Sequence, residues 1–280
     1  MRFMSNQKMG HRLTEGPHRL LVEKIEEERS AKRVGKKVYY YEETSSTNDR
    51  AFELISENPS EGTLMIAEEQ TRGRGRLGKK WHSARFEDLL FSVILKPKIE
   101  SSHVSLITMM AAVAMAESME IWGLEAKIKW PNDVYVNDQK ISGILAEVKR
   151  NPNGIQYVIL GMGINVNMDV LRAPSEIRNT ATSMAYELGK TVNRNEVLGA
   201  VLDRIEENYQ LVKSGLYEKI RDKWSDRSYL TGRWVEILKG TQNFEGVVVG
   251  TDLRGELLLS LENGCLESFQ SGDVRVKYGG

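Results

Sequence analysis

The sequence predicts an α+β fold: a mixed β-sheet with flanking helices, followed by a small all-β barrel. Three observations predict it. From Lys37 onward, strand-like and helix-like runs succeed one another in a βα order. Residues 105–123, SLITMMAAVAMAESMEIWG, form one long apolar helical run that stops at Gly123. Near residue 229 the composition changes to short strands punctuated by Gly and Asn-Gly, the pattern of a small barrel. Three segments follow: an N-terminal arm or short helix over 1–36, a main α+β unit over 37–228, and the barrel over 229–280.

Taken in order, residues 1–36 are polar and weakly patterned. Leu20, Leu21 and Ile25 predict one short helix, and the charged run EEERSAKR predicts a solvated arm. KVYYYEE (37–43) is a strand. Ser46 then opens a helix over NDRAFELISE, with Asp49 placed as in a capping box. GTLMIAEEQ (62–70) and LLFSVILKP (89–97) are β-rich, the second closed by Pro97. After the apolar helix, KIKWPND, VYVNDQK and ISGILAEVK read as strands joined by turns, with Asn137-Asp138 at a hairpin tip. YVILGMGINVN (157–167) is a buried strand. Helices over about 195–213 and 217–226 follow. GRWVEILKG, FEGVVVGTD, GELLLSLENG and DVRVKYG make up the barrel.

Composition excludes several classes. The 39 basic residues balance 39 acidic ones, so a general nucleic-acid binder would need a local basic patch. The single cysteine, Cys265, allows no internal disulfide and reads as a packed small side chain. The four histidines show no metal-ligand spacing, so no protein-held metal is expected. No apolar run has membrane-spanning length, and the first residues lack the apolar core of a secretory signal. These features read as a cytoplasmic protein.

Residues 70–81, QTRGRGRLGKKW, are the feature that asks for chemistry. Gly73, Gly75 and Gly78 satisfy G-x-G-x-x-G, and Gly73, Gly78 and Lys79 give all but the last letter of a Walker loop. Both motifs need a helix directly after the glycine turn, to aim its N-terminus at a phosphate. Here the turn leads into WHSARFEDLLFSVIL, which has no helical apolar stripe and ends in a strand, and Lys80 cannot hold magnesium as Ser or Thr would. What remains is charge: Arg72, Arg74, Arg76, Lys79 and Lys80 place five cations in nine residues. Like charges 4 Å apart repel by about 4 kcal/mol at an effective dielectric near 20. Such a loop resists ordering alone and closes around a polyanion. A small anionic ligand and a nucleic-acid backbone both fit that description.

Further residues separate the two. Ser46-Thr47-Asn48 precedes the loop; Lys129-Trp130-Pro131-Asn132-Asp133, Lys140-Ile141-Ser142-Gly143-Ile144-Leu145 and Gly161-Met162-Gly163-Ile164-Asn165 follow it. In this order they resemble the signature of biotin protein ligases: an S-T-N segment, G-R-G-R-x-G-R-x-W, K-W-P-N-D, K-x-x-G-I-L and G-x-G-I-N. The resemblance spans about residues 38–280. It implies a class II aminoacyl-tRNA synthetase-like catalytic sheet and an SH3-like C-terminal barrel. It also implies two half-reactions: biotin and ATP form biotinyl-5′-AMP, whose acyl group passes to a lysine of a biotin carboxyl carrier protein.

The resemblance assigns roles residue by residue. Ser46, Thr47, Asn48 and Gln70 would hold biotin's ureido ring, with Gly73, Gly75 and Gly143 also on the biotin side. Arg74 and Arg76 would line the carboxylate and phosphate region, Arg76 retaining the adenylate. Lys140 would contact the acyl-phosphate junction as an electrostatic group. Trp81, Asn132, Asp133 and Asn165 fall on the ATP side, and Asp133 is also a candidate base for the incoming lysine. Mg2+ is expected to arrive with ATP. The family's usual arginine is replaced by Lys79, which keeps the charge and loses the bidentate fork. No DNA-binding winged helix is expected in residues 1–36, which implies a ligase without repressor function, and exposed sheet edges leave room for a homodimer. The rival readings are a lipoate ligase with the same adenylate chemistry and a nucleic-acid-binding module using RGRGR.

Overall fold

A computed structural model describes residues 19–29, 32–99, 104–154 and 156–277. Its first element is a short helix, α1 (Val22–Glu28), after which β1 (Val38–Tyr41), α2 (Thr47–Leu54) and β2 (Leu64–Ala67) form the opening βαβ unit, with β1 and β2 parallel. β3 (Leu89–Leu95), α3 (Val104–Glu120), β4 (Lys127–Lys129), β5 (Asp133–Val136), β6 (Gln139–Arg150) and β7 (Gln156–Ile164) complete a seven-stranded mixed sheet. Its strand order is β1-β2-β3-β7-β6-β5-β4, antiparallel from β2 onward. β3 is buried at every position and sits inside the sheet, as an unbroken apolar run requires.

α3 is apolar almost all round because it is covered almost all round. The sheet lies beneath it, and α6 (Arg194–Lys213) and α7 (Tyr217–Ser225) pack on it from outside. Two one-turn helices, α4 (Ser175–Arg178) and α5 (Met184–Leu188), come before α6. Side chains such as Phe91, Met110, Ile205 and Trp224 are fully buried in this core. Each contributes roughly 1.5–3 kcal/mol over an exposed position. An ion pair with both side chains inaccessible, Arg194 Nη1 to Glu68 Oε2 at 2.7 Å, ties the start of α6 to the chain just after β2. Arg194 Nη1 also donates to the Asp88 carbonyl at 2.9 Å. Truncating either partner would strand a buried charge, at a cost of about 3–5 kcal/mol.

Beyond residue 229, β8 (Trp234–Lys239), β9 (Gln242–Thr251), β10 (Leu257–Leu261), β11 (Leu266–Phe269) and β12 (Asp273–Val276) form an antiparallel sheet in the order β11-β10-β9-β8-β12. It is consistent with an SH3-like barrel. The Trp130 indole N–H donates to the Gly255 carbonyl at 3.0 Å, and one continuous apolar core runs from α3 into the barrel. The barrel is therefore docked on the K-W-P-N-D turn.

Several local expectations change in the structure. Ser46 precedes α2 without capping it through its side chain; Asp49 instead accepts from Ser45 Oγ at 3.2 Å. Cys265 is exposed rather than packed, because it sits in the turn before β11. The charged N-terminal run is not wholly solvated. Leu20 and Ile25 are buried in the main core, and Arg29 donates to Asp203 Oδ1 at 2.9 Å. Residues 1–18 lie outside the described residues.

Candidate functional site

One cleft opens between the sheet, the basic loop and the barrel. Its floor is made of glycines. Gly161 and Gly163 stand two apart on β7, so both face the same side of the sheet, and Gly143 on β6 is the direct cross-strand partner of Gly163. Atoms already occupy the space that side chains would take. A Cβ on Gly161 would lie 2.3 Å from Asn48 Oδ1, and one on Gly163 would lie 2.4 Å from Trp81 Cε2. A Cβ on Gly143 would lie 2.8 Å from Trp81 Cζ3. The Trp81 indole thus rests on bare backbone, with the Lys140 ammonium 5.4 Å from its ring and its own N–H without an acceptor among the described residues.

At one end of the cleft the lining side chains are mostly neutral. Ser46, Thr47 and Asn48 at the start of α2 are buried. Gln70 Oε1 accepts from Thr47 N at 2.7 Å and Thr47 Oγ1 at 3.1 Å. Ser92 Oγ lies 2.7 Å from Thr47 Oγ1 and 2.6 Å from Asn48 Oδ1, and Asn48 Nδ2 donates to Glu147 Oε2 at 2.6 Å. This network is preset, and it suits a neutral ligand with both donors and acceptors.

At the other end the groups are charged. Lys140 Nζ is 2.6 Å from Asp133 Oδ1. That contact is an ion pair lying off the hydrogen-bond direction, so the buried carboxylate oxygen still lacks a hydrogen-bond donor. Lys129 on β4 is the cross-strand partner of Asp133. Asp273, at the start of β12, brings a carboxylate from the barrel, 3.4 Å from Lys79 Nζ. Burial depresses the basicity of both Arg76 and Lys129, while Asp133 and Asp273 act in the opposite direction on each.

The basic loop is closed on itself. Trp81 N donates to Gly73 O at 3.0 Å and Gly75 N to Lys79 O at 2.6 Å. A single 3-10 turn at 76–78 lies within the loop, and no helix lies between the loop and β3, which agrees with the rejection of both phosphate-loop motifs. Its tip is left-handed at Leu77 (φ 54°) and Gly78 (φ 73°). That conformation costs roughly 1–2 kcal/mol for a residue with a Cβ, and it lifts the Leu77 side chain into solvent, 78% exposed. The mutual repulsion foreseen in this loop is offset by carboxylates from elsewhere in the chain. Arg74 is 2.6 Å from Asp49 Oδ1 and 4.0 Å from Glu147 Oε2, and Lys79 faces Asp273.

Ser46, Thr47, Asn48, Gln70, Arg74, Gly75, Arg76, Trp81, Asn132, Asp133, Lys140 and Gly143 all line this cleft. Two residues named from the sequence do not. Gly73 is buried at the base of the loop, where its carbonyl closes the turn. Asn165 is buried too, its amide donating to the Thr182 carbonyl at 2.9 Å and lying 3.5 Å from that of Lys140. It therefore props the strand end that carries Lys140. Sequence reasoning did not assign Asp49, Ser92, Lys129, Glu147 or Asp273. Only Lys129 had a signal, since it opens the K-W-P-N-D run; the other four depend on contacts between distant segments. The described residues contain no group of three His, Cys, Asp or Glu side chains able to hold a metal, and none of their helices is long and apolar enough to cross a membrane.

Comparisons with known proteins agree with this geometry. Residues 40–165 match the model of the Biotin/lipoate A/B protein ligase family, and residues 231–277 match the Biotin protein ligase C terminal domain. The bifunctional ligase/repressor BirA of Bacillus subtilis is 33% identical over 273 residues, covering 96% of this chain and 83% of its own. The biotin–[acetyl-CoA-carboxylase] ligase of Mycobacterium tuberculosis is 31% identical over 240 residues, covering 83% and 86%. Among solved structures, a biotin protein ligase from Aquifex aeolicus in complex with biotin and ATP superposes with a TM-score of 0.76 at 33% identity, covering 87% of this chain and all of that one.

Proposed function

This chain belongs to the biotin protein ligase family, and from that premise we propose how its cleft divides the work of the reaction. The protein is a biotin protein ligase: it activates biotin with ATP and transfers it to the carrier domain of a biotin-dependent carboxylase. The observation that carries our assignment of residues is the polarity of the cleft, mostly neutral at the α2 end and cationic at the barrel end over a continuous glycine floor.

Ser46, Thr47, Asn48 and Gln70 receive the ureido ring, and Gly143, Gly161 and Gly163 let Asn48 and Trp81 lie against the sheet beside it. Gly73 and Gly75 shape the loop that closes over biotin. The carboxylate then lies toward Arg74, Arg76 and Lys140. Its approach to the α-phosphate brings two anions together, and fixed cations at that point lower the barrier. Lys140 acts there as an electrostatic group. Its pairing with Asp133 holds it in place, and a lysine used as nucleophile would itself be acylated. Arg76, already partly stripped of water, keeps the adenylate from leaving. Asn132, held by its own amide to the Ile144 carbonyl at 2.8 Å, fixes the turn that presents Asp133 on the ATP side. Asp133 is the base proposed for the carrier lysine. Asn165 acts on the ATP side through the strand end it supports.

Mg2+ fits as a companion of the nucleotide. Asp133 and Asp273 are the carboxylates beside the phosphate region, and they are too few to cage the ion alone. When bound, it would neutralise phosphate charge.

We assign no operator binding to this chain and place it in the cytoplasm with its carboxylase partner. Open sheet edges such as β1 are the surfaces through which a homodimer would form. The deciding experiment is incubation with ATP and either biotin or lipoate, followed by mass detection of the acyl-adenylate and of the acylated carrier. Biotinyl-adenylate alone is expected, and turnover of lipoate alone would overturn the assignment. Salt-sensitive DNA or RNA binding without adenylation would favour the nucleic-acid reading of the RGRGR loop.

A further inference from the structure

The cleft holds a half-buried cation with no role above. Lys129 lines the barrel end of the cleft and is half-buried on β4. Its ammonium donates to Tyr135 Oη at 3.4 Å and lies 5.1 Å from the centroid of that ring. Tyr135 is stacked on Tyr229 at 5.2 Å, so the lysine is braced by two aromatic rings. Among the described residues no carboxylate lies within ion-pair distance of it. Its charged surroundings are Asp133 from β5, Lys140 from β6, Lys79 from the loop and Asp273 from β12. Four cations in this corner (Arg76, Lys79, Lys129 and Lys140) face two carboxylates, Asp133 and Asp273, leaving an excess of two positive charges. A half-desolvated, braced and uncompensated ammonium is costly to keep unless an anion joins it.

The direction of the reaction identifies that anion. Attack on phosphorus is in line, so the leaving group departs on the side opposite the entering carboxylate. With the ureido ring at Ser46–Gln70, the carboxylate enters from the α2 end and the leaving group points toward the barrel end. We propose that Lys129 is a catalytic residue of the adenylation half-reaction that binds the β- and γ-phosphates of ATP and stabilises the departing pyrophosphate. As the carboxylate oxygen bonds to the α-phosphorus, the bond to the bridging oxygen breaks and its electron pair stays on pyrophosphate. Lys129 meets that growing charge and transfers no proton. It has no part in acyl transfer, where a fixed ammonium would only repel the incoming lysine before it loses its proton.

This inference rests on the ligase reading, and the test separates the two. Wild type, Lys129→Ala and Lys129→Arg are compared in pyrophosphate release with biotin and ATP, in inhibition by inorganic pyrophosphate, and in transfer from preformed biotinyl-5′-AMP to the carrier. Lys129→Ala should slow adenylation by about 10²-fold, the usual size for one charge-stabilising donor. It should weaken pyrophosphate inhibition and leave transfer within about threefold. Lys129→Arg should restore most of the adenylation rate and move its alkaline limb to higher pH, because burial lowers the lysine's basicity while arginine stays charged. Equal losses in both half-reactions, or adenylation by Lys129→Ala within about threefold of wild type, would overturn the proposal. Wild-type protein that forms no biotinyl-adenylate would overturn the ligase reading itself, and this proposal with it.

Discussion

The two ends of the cleft are built in opposite ways. At the α2 end, Thr47, Asn48, Gln70, Ser92 and Glu147 satisfy one another at 2.6–3.1 Å, and Ser46, Thr47 and Asn48 are each no more than 4% exposed. At the barrel end, Arg76, Lys79, Lys129 and Lys140 come from three separate segments and outnumber the carboxylates that face them. The first end is organised before a ligand arrives. The second holds charge in reserve and reaches balance only with anions bound. The difference teaches that recognition of a neutral ring and stabilisation of a reacting phosphate place different demands on one cavity. The first needs geometry, which packing supplies; the second needs uncompensated charge, which packing alone would avoid.

Four perturbations test that contrast. The largest effect is expected at the charged end, from Lys140→Ala: adenylate formation should fall about 10³-fold, measured by single-turnover quench, with the protein still folded. A rate within tenfold of wild type would mean that the ion pair with Asp133 is structural only. Gly161→Ala probes the preset end. Its new methyl meets a buried amide at 2.3 Å, so KM for biotin should rise by about 10²-fold while binding of ATP alone changes little. An unaltered KM would show that Asn48 does not belong to the biotin pocket. Arg76→Ala should release biotinyl-adenylate about tenfold faster, followed in solution by chromatography during turnover without carrier. If adenylate stays bound, retention lies elsewhere in the loop. The smallest effect is expected from Asp49→Asn, which frees Arg74 from a partly exposed pair worth about 1 kcal/mol or less. KM for biotin should then shift by less than about fivefold, and a larger shift would make Asp49 part of the site.

Much of the fold is legible in the sequence because it is local. Alternating or continuous apolar runs give the main strands, and α3 announces itself by length and uniform hydrophobicity. Asn137 and Asp138 adopt the left-handed angles, 49° and 61°, that their hairpin turn demands. What escaped has no such pattern. β11 exposes three of its four residues and exists because β10 pairs with it. α4 and α5 span four and five residues, too few to display a helical period. The short helix expected near Leu20, Leu21 and Ile25 is α1, but the solvated arm expected around it is not wholly solvated, since Leu20 and Ile25 are buried in the core.

For the site the division is similar. The ordered motifs by themselves name the family, the adenylate chemistry and most of the residues that line the cleft. They do so because glycine spacing on a strand, a preset turn and a dense run of arginines carry their meaning within a few neighbouring residues. Tertiary structure alone decides which charges are matched. It sets Asp49 against Arg74, Asp273 against Lys79 and Asp133 against Lys140, and it leaves Lys129 without a carboxylate partner among the described residues. The physical reason is that charge compensation and loss of water depend on distance through space, which residues far apart in the chain acquire only when the barrel, the loop and the sheet close on one cavity.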